Sequence, residues 1–352
     1  MMRTRFTKLV GCRVPIMLAP MADVSGGSLA AAVLRGGGFA FIAAGHARDE
    51  DRTKLDAEVD IFRAEDNSGD SFGVGFIGHS SMKSDNMKRV EAILDRHKPL
   101  AAQFFAPAFA ATGTNVKLCK DKNILVFAQV GSVEEAREAL AYGVDCVIAQ
   151  GREAGGHGLR SELGTGTLPL AARVVELTRE LNPATIVLAA GGITDGRGLA
   201  AALSLGCDGI VLGTRLWATK EALGDSTGKK RDALLRAEGD DVVRTRTFDA
   251  IQNVDNPHFW PAPYDSVGAL KNKTTESFHG KEEELIAKIT GGDVAVLSSY
   301  REASKNCDIT RTCVLAGEGV GGIKQLDGAE DVIKMVEEEA IAQIRRMNGM
   351  IT

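Results

Sequence analysis

The chain has 352 residues, of which 44% are hydrophobic, 25% are charged and 5% are aromatic, and its net charge is −5. This composition excludes intrinsic disorder, collagen and coiled coil, because the apolar fraction can form a large core and no low-complexity tract is present. The small negative charge provides no general attraction to nucleic acid or to an anionic membrane, so neither is expected as a partner.

Eight short apolar segments recur along the chain, and each predicts a strand that is buried on both faces. The spacing between them leaves room for a helix after each strand, and such a crossover makes successive strands parallel. The segments begin near Ile16, Phe39, Phe72, Leu100, Leu125, Cys146, Ile186 and Gly209.

Helical patterns lie between several of these strands, at Ser28–Gly36, Ser132–Tyr142 and Gly196–Leu205. Eight strands, each followed by a helix, are the count of a (β/α)8 TIM barrel, so an α/β fold of this type is predicted over residues 1–219. The doubly wound alternative would need a G-x-G-x-x-G motif that opens a helix early in the chain. Gly36-Gly37-Gly38 instead follows a predicted helix, which favours the barrel.

The sequence changes in character after residue 219. Lys220–Val243 is charged and predicted to be helical, and Lys281–Ile289 has a second helical pattern. We interpret residues 220–310 as a smaller lobe added over the C-terminal face of the barrel. Residues 311–352 are expected to form a C-terminal segment whose helix, Asp331–Met347, packs back on the barrel.

Glycines follow the last two predicted strands, where a TIM barrel commonly binds phosphate. Gly191-Gly192 follows the seventh strand and Leu212-Gly213-Thr214 ends the eighth. Glycine lets backbone N–H groups approach an oxygen closely, and a helix N-terminus adds a favourable dipole. Gly191-Gly192 alone could simply turn into the helix capped by Asp195, but its pairing with Gly213-Thr214 favours a phosphate site.

His157 lies in a glycine-rich run, Gln150–Gly158, after the sixth strand. An imidazole with an ordinary pKa of about 6.5, held on a loop at the barrel mouth, suits proton transfer near neutral pH. His46 and His79 follow other strands and are expected to line the mouth without an assigned role. No metal site is predicted, because the histidines lack the spacing of a metal-binding motif.

The six cysteines stand apart, without C-x-x-C spacing, and predict reduced, buried thiols. No run of 18 apolar residues is present, so no membrane span is expected. The basic start of the chain leaves little room for a removable targeting peptide before the first strand. These features predict a soluble, cytoplasmic protein and leave its oligomeric state open.

Three long motifs resemble the nitronate monooxygenases, formerly called 2-nitropropane dioxygenases. They are PIMLAPM at 15–21, FAQVGSVEEAREALAYGVDCVIAQGREAGGHG at 127–158 and VLAAGGITDGRGLAAALSLGCDGIVLGTR at 187–215. The fungal branch of the family is the most similar, because VRTRTFDAI at 243–251, FWPAPYD at 259–265 and LAGEGVGGIK at 315–324 resemble its C-terminal lobe.

The resemblance implies an FMN-dependent flavoprotein that oxidises alkyl nitronates, and as further substrates nitroalkanes, with O2 to carbonyl compounds and nitrite. The flavin would act through semiquinone chemistry, and His157 matches the histidine base of the family. Ala19-Pro20-Met21 would pass under the flavin, and the glycines after the last two strands would hold its phosphate. The full set of implied cofactor-binding residues is Ala19, Pro20, Met21, Gln129, Gln150, Gly155, Gly156, Gly191, Gly192, Leu212, Gly213 and Thr214.

The sequence departs from the family pattern at two strand ends. Gln129 stands where many bacterial relatives place a lysine near the flavin, and a neutral amide should stabilise an anionic flavin less than a cation does. Gly73-Val74-Gly75 stands where many relatives carry an asparagine. Both differences leave the substrate open.

Three alternative functions are compatible with parts of this pattern. An NAD(P)H-dependent reductase of quinones or enoyl thioesters would use the same flavin and histidine. A flavin-free barrel of the nucleotide-dehydrogenase kind would need a cysteine after the sixth strand, and residues 150–168 contain none. A non-catalytic flavin-binding protein is disfavoured by the histidine embedded in glycines.

Overall fold

The computed structural model describes residues 2–65, 71–81, 84–106, 109–254 and 260–350. It contains strands β1 (Ile16–Leu18), β2 (Phe39–Gly45), β3 (Gly73–Ile77), β4 (Ala101–Phe105), β5 (Leu125–Val130), β6 (Cys146–Gln150), β7 (Gly156–Gly158), β8 (Ile186–Ala190), β9 (Gly209–Leu212), β10 (Val242–Thr245) and β11 (Ser266–Leu270). Strands β1 to β6, β8 and β9 are parallel and close into one barrel. The predicted TIM barrel and its eight strands are therefore confirmed.

Helices follow the barrel strands and continue into the rest of the chain. They are α1 (Arg5–Val10), α2 (Gly27–Arg35), α3 (Asp49–Glu65), α4 (Gly78–Ser81), α5 (Ser84–His97), α6 (Phe109–Asp121), α7 (Val133–Ala141), α8 (Thr167–Leu181), α9 (Gly196–Ser204), α10 (Thr214–Trp217), α11 (Lys229–Arg236), α12 (Thr247–Gln252), α13 (Lys273–Phe278), α14 (Glu282–Thr290), α15 (Ala295–Lys305) and α16 (Ala329–Asn348). Short 3-10 helices span Gly239–Asp241 and Glu318–Gly322. None of the helices in the described ranges has the length and apolar character needed to cross a bilayer.

The three helices predicted between the barrel strands are confirmed, and local capping interactions define where α7 and α9 begin. Ser132 caps α7, since its hydroxyl accepts the N–H of Glu135 at 3.2 Å while the Glu135 carboxylate accepts the N–H of Ser132 at 3.2 Å. Asp195 caps α9 by accepting the N–H groups of residues 197 and 198. These bonds satisfy donors that a helix N-terminus otherwise leaves unpaired.

Aromatic side chains fill the interior of the barrel from the N-terminal ends of its strands. Phe6 of α1 packs edge-to-face on Phe39, and the contact series continues through Phe41 to Phe127 with ring centroids 5.3–6.3 Å apart. Arg5 anchors α1 to the strands by a bidentate pair with the buried Asp208, which directly precedes β9. Because α1 covers this end, we expect a ligand site at the C-terminal ends of the strands, where TIM barrels bind their ligands.

The segment after β9 differs from the predicted pattern. Lys220–Val243 was expected to be helical, but it forms only α11 and the short 3-10 helix at Gly239–Asp241, and it ends in β10. Gly224 and Gly228 adopt positive φ angles of +81° and +73°, which interrupt helical geometry before α11 begins. β10 and β11 then pair antiparallel, and β7 adds to β11 as the third strand of a small sheet.

The C-terminal helix lies against the outside of the barrel. Helix α16 packs on α9 and α2, and the Glu339 carboxylate accepts the N–H of Gly196 at 2.9 Å. A Cβ at Gly196 would lie 2.2 Å from the nitrogen of Ala340, and one at Gly36 would lie 2.7 Å from Cβ of Ile333. Glycine is therefore required where these helices approach most closely.

Candidate active site

A cavity of about 240 Å³ opens at the C-terminal ends of the barrel strands. All of the predicted site residues except Leu212 line it, namely Ala19, Pro20, Met21, Gln129, Gln150, Gly155, Gly156, His157, Gly191, Gly192, Gly213 and Thr214. Trp260 and the C-terminal segment around Gly317 complete the walls. Leu212 is fully buried in the core, where its carbonyl accepts the N–H of Ala19 at 3.0 Å.

The turn after β1 is held rigidly by one buried serine. The Ser25 hydroxyl donates to the carbonyl of Ala19 at 2.7 Å and accepts the N–H of Met21 at 3.1 Å. Pro20 lies directly against Gly75, since a Cβ at Gly75 would lie 2.2 Å from Cβ of the proline. Glycine at position 75 therefore leaves space for this turn.

Two glutamine amides meet on the cavity wall formed by β4 and β5. Gln103 Nε2 donates to Gln129 Oε1 at 2.7 Å. Gln103 is only 1% exposed, and its Oε1 has no hydrogen-bond partner within the described ranges. A buried carbonyl without a donor costs free energy, so this oxygen is suited to receive an N–H from a ligand. Gln103 was missed, although a lone glutamine in the apolar strand AAQFF was a usable signal.

Glycine backbones form a cradle on the side of β8 and β9. Gly191 and Gly192 have φ angles of +113° and +67°, which turn the chain sharply after β8. The C-terminal segment covers this turn, because a Cβ at Gly319 would lie only 2.4 Å from the carbonyl oxygen of Gly192. Thr214 Oγ1 accepts the N–H of Gly317 at 3.0 Å, which ties that segment to the end of β9. The cradle is thus built from three stretches of chain, of which the sequence indicated two.

The glycine-rich loop between β6 and α8 is fixed by charged side chains on both sides. Glu153 accepts the N–H and the hydroxyl of Thr167 at 2.9 Å, which caps α8 from within the loop. Arg244 of β10 donates to the carbonyls of Arg152, Ala154 and Ser266 at 2.9, 2.6 and 3.2 Å. Burial lowers the pKa of the Arg244 guanidinium to about 10. The cation therefore stays charged near neutral pH and holds the loop in place.

Replacing Arg244 by Met is expected to lower the free energy of unfolding by about 2–4 kcal/mol, because it leaves partly buried carbonyls without donors. Chemical denaturation followed by far-UV circular dichroism measures the change. Arg197→Met is the matched control, since that exposed arginine pairs with Asp195 on the surface and its loss should leave the free energy of unfolding nearly unchanged. Equal, small losses in both variants would contradict the role assigned to Arg244.

His157 lies on the short strand β7 rather than on the predicted loop. Its Nε2 is 2.8 Å from Asp249 Oδ1, and its ring stacks on Trp260 with centroids 3.7 Å apart and planes 13° from parallel. Its backbone pairs with Val267 of β11, and Gln150 Nε2 donates to its carbonyl at 3.1 Å. The imidazole is therefore held by the strand pairing of its backbone, by the stacked ring of Trp260 and by the contact between Nε2 and Asp249. The side chain stays 18% exposed.

His46 and His79 do not line the cavity but lie behind its aromatic wall. Both rings meet Trp260 edge-on, with centroids 5.8 and 5.3 Å from it, and they are 5.8 Å from each other. His46 Nδ1 is 2.6 Å from the hydroxyl of Ser80. Burial, reinforced by the nearby His79, lowers the pKa of His46 to about 4, so this ring is neutral near pH 7. Phe259, in the FWPAPYD motif, lies outside the described residues.

The low pKa of His46 makes stability depend on pH. Between pH 6.5 and pH 4 the unfolded chain binds a proton at His46 that the folded chain does not, so the free energy of unfolding falls as the pH falls. The destabilisation caused by His46→Asn should therefore be smaller at pH 4.5 than at pH 7, by about 2 kcal/mol. Denaturation at both values measures it, and His279→Asn, at an exposed histidine, is the control. An unchanged difference would contradict the prediction.

Within the described residues, no group of three or more histidine, cysteine or carboxylate side chains is placed to hold a metal ion. The groups that line the cavity are one oriented imidazole, a pair of amides, an apolar wall and a glycine cradle. This combination suits an organic ligand with an anionic end.

Comparisons with known proteins identify the family. The family model described as nitronate monooxygenase matches residues 3–338. A nitronate monooxygenase of Neurospora crassa is 31% identical over 95% of this chain and 91% of its own, and nitronate monooxygenase npaC of Metarhizium robertsii is 29% identical over 93% and 91%. FabK from Thermotoga maritima superimposes over the full length of both chains with a TM-score of 0.78 and 25% identity. The chain therefore belongs to the nitronate monooxygenase family of oxidoreductases.

Proposed function

We propose that the chain oxidises alkyl nitronates, and also nitroalkanes, with O2 to give carbonyl compounds and nitrite, using FMN as its cofactor. The observation that carries this proposal is the meeting of His157 and the glycine cradle in one cavity. The two fungal relatives named as nitronate monooxygenases cover almost the whole chain and support it.

The residues of the cavity fit FMN. Gly191, Gly192 and Gly213 would hold its phosphate, because their backbones can approach oxygens that a Cβ would exclude. Ala19-Pro20-Met21 would lie against the flavin, and the unpaired Oε1 of Gln103 would accept an N–H from it. When bound, FMN supplies the redox chemistry that moves electrons from the substrate to O2.

The chain's own residues would bind the substrate and move its proton. His157 would remove the α-proton of a neutral nitroalkane, whereas an anionic nitronate has already lost that proton and needs only to be oriented. Phe76, Phe105 and Trp260 form an apolar wall that would accept the alkyl group and exclude water.

We also propose that the protein works in the cytoplasm. All six cysteines are free. Burial raises the pKa of the Cys119 and Cys207 thiols to about 12, so these groups stay protonated and poorly reactive. Buried free thiols are typical of proteins that fold in a reducing compartment.

The test is aerobic oxygen uptake by the purified protein with ethylnitronate and with propionate 3-nitronate, in the absence of NADH and alongside its visible spectrum. A yellow protein that consumes O2 on a nitronate is the expected result. A yellow protein that ignores nitronates but is bleached by NADH under anaerobic conditions would favour the reductase. A colourless protein that does not take up FMN would overturn the proposal.

A further inference from the structure

Asp249 is a buried carboxylate of α12 that contacts the imidazole of the candidate base. The residue is only 2% exposed, and its Oδ1 lies 2.8 Å from Nε2 of His157. Its Oδ2 is buried and has no hydrogen-bond partner in the described part of the chain. Within the same ranges, His157 is also the ion-pair partner of this carboxylate.

The contact with Asp249 favours a proton on one particular nitrogen of His157. An ionised carboxylate out of water needs a donor, and Nε2–H is the donor that faces it. In a neutral imidazole only one nitrogen carries a proton, so a protonated Nε2 leaves Nδ1 with its lone pair. Because His157 lines the cavity, Nδ1 is the atom left to accept a proton there.

We propose that Asp249 is a positioning residue that fixes this tautomer of His157 and stabilises the imidazolium formed when Nδ1 accepts the substrate proton. The inference rests on the proposed function. In that step the C–H bond next to the nitro group breaks, its electron pair stays with the substrate as the nitronate, and the proton binds Nδ1. The carboxylate gains no proton, as in the histidine–aspartate pairs of hydrolases. In those pairs the aspartate contacts Nδ1 and the base is Nε2, whereas here the aspartate contacts Nε2 and the base is Nδ1.

The surroundings hold both members of the pair in place. Trp260 stacks on the imidazole, and the pairing of β7 with β11 fixes the backbone of His157. Helix α12, which carries Asp249, packs on β11, and β7, which carries His157, pairs with the same strand. Both residues are therefore anchored to β11.

Three titratable groups near the pair, Cys313, Tyr300 and His46, keep their charge state at moderate pH. Cys313 and Tyr300 lie near Asp249, and burial, together with that carboxylate's charge for Cys313, raises the pKa of both thiol and phenol, to about 12 for Tyr300. On the other side burial lowers the pKa of His46 to about 4.

The test compares Asp249→Asn and Asp249→Glu with the unchanged protein as isolated. With nitroethane, Asp249→Asn should lower kcat/KM at least 100-fold and move the acidic limb of its pH profile to lower pH, because the imidazolium loses a neighbouring negative charge. With ethylnitronate the loss should stay below about 10-fold, and Asp249→Glu should recover part of the nitroethane activity. Asp265→Asn is the control, since that carboxylate pairs with Arg160 and Arg246 and should leave the ratio of the two substrates unchanged.

Nitrogen-15 NMR of the histidine rings provides a readout that needs no turnover. With the signal assigned by its loss in His157→Asn, the unchanged protein at pH 8 should show Nε2 protonated and Nδ1 unprotonated. The opposite tautomer, or a nitroethane pH profile that Asp249→Asn leaves unmoved, would overturn the role of Asp249. Failure of the unchanged protein on every nitro compound and nitronate would instead overturn the proposed function, and the NMR result would still decide the tautomer.

Discussion

His157→Asn is expected to lower turnover of neutral nitroethane by about 10²–10⁴-fold, the usual contribution of a positioned general base. Ethylnitronate has no α-proton left to remove in this step, so its turnover should fall far less. Oxygen uptake with the two substrates, measured on the same preparation, gives the ratio directly. The structure supports this selectivity because the imidazole is held on three sides and still lines the cavity.

The variant must keep its cofactor and its fold for this comparison to count. His157 contributes its backbone to the pairing of β7 with β11, which an asparagine side chain leaves intact. His46→Asn is a suitable parallel variant, because His46 lies behind Trp260 and does not line the cavity. It should leave the ratio of nitroethane to ethylnitronate turnover unchanged. Equal losses on both substrates in His157→Asn would show that the residue binds or orients rather than removes a proton.

Local patterns were sufficient to predict the barrel and much of the cavity lining. Each barrel strand is a continuous apolar run, because both faces are buried, and that pattern is visible without knowledge of neighbours. The barrel topology then brings every strand end to one rim, so that Gly191, Gly213 and His157 meet although they are far apart in sequence.

The exception among the predicted residues follows from strand geometry. Successive side chains of a strand point to opposite sides, and Val211 lines the cavity while Leu212 points into the helix layer. The sequence motif contains both residues and does not say which of them faces inward.

Contacts between segments that are far apart in the chain could not be predicted from local sequence patterns. Asp249 and Trp260 hold the imidazole of His157, yet nothing in TFDAI or in WPAP marks a residue that will meet a histidine about a hundred positions earlier. Strand β7 has only three residues, two of them glycine, and it exists because β11 offers a free edge. Such partners become visible only once these segments are folded against each other.

Gly319→Ala is expected to weaken FMN binding by about 10- to 100-fold. The new methyl group would lie 2.4 Å from the carbonyl oxygen of Gly192 and 3.0 Å from Cγ2 of Thr194, so the turn that follows β8 has to move. Overpacking of this kind costs about 1–3 kcal/mol, and each 1.4 kcal/mol is tenfold in Kd when the strain falls on the binding loop. Quenching of FMN fluorescence on titration with apoprotein measures the Kd.

Gly36→Ala separates an effect on the cradle from a general loss of stability. A Cβ there would lie 2.7 Å from Cβ of Ile333 and 3.1 Å from the carbonyl oxygen of Glu330, between α2 and α16 and away from the cavity. This control should lower the thermal midpoint of the apoprotein while leaving the Kd for FMN unchanged. If Gly319→Ala binds FMN as tightly as the unchanged chain, the C-terminal segment does not shape the phosphate cradle. An equal weakening in both variants would mean that the affinity follows overall stability, because a ligand that binds only the folded state loses apparent affinity as that state is depopulated.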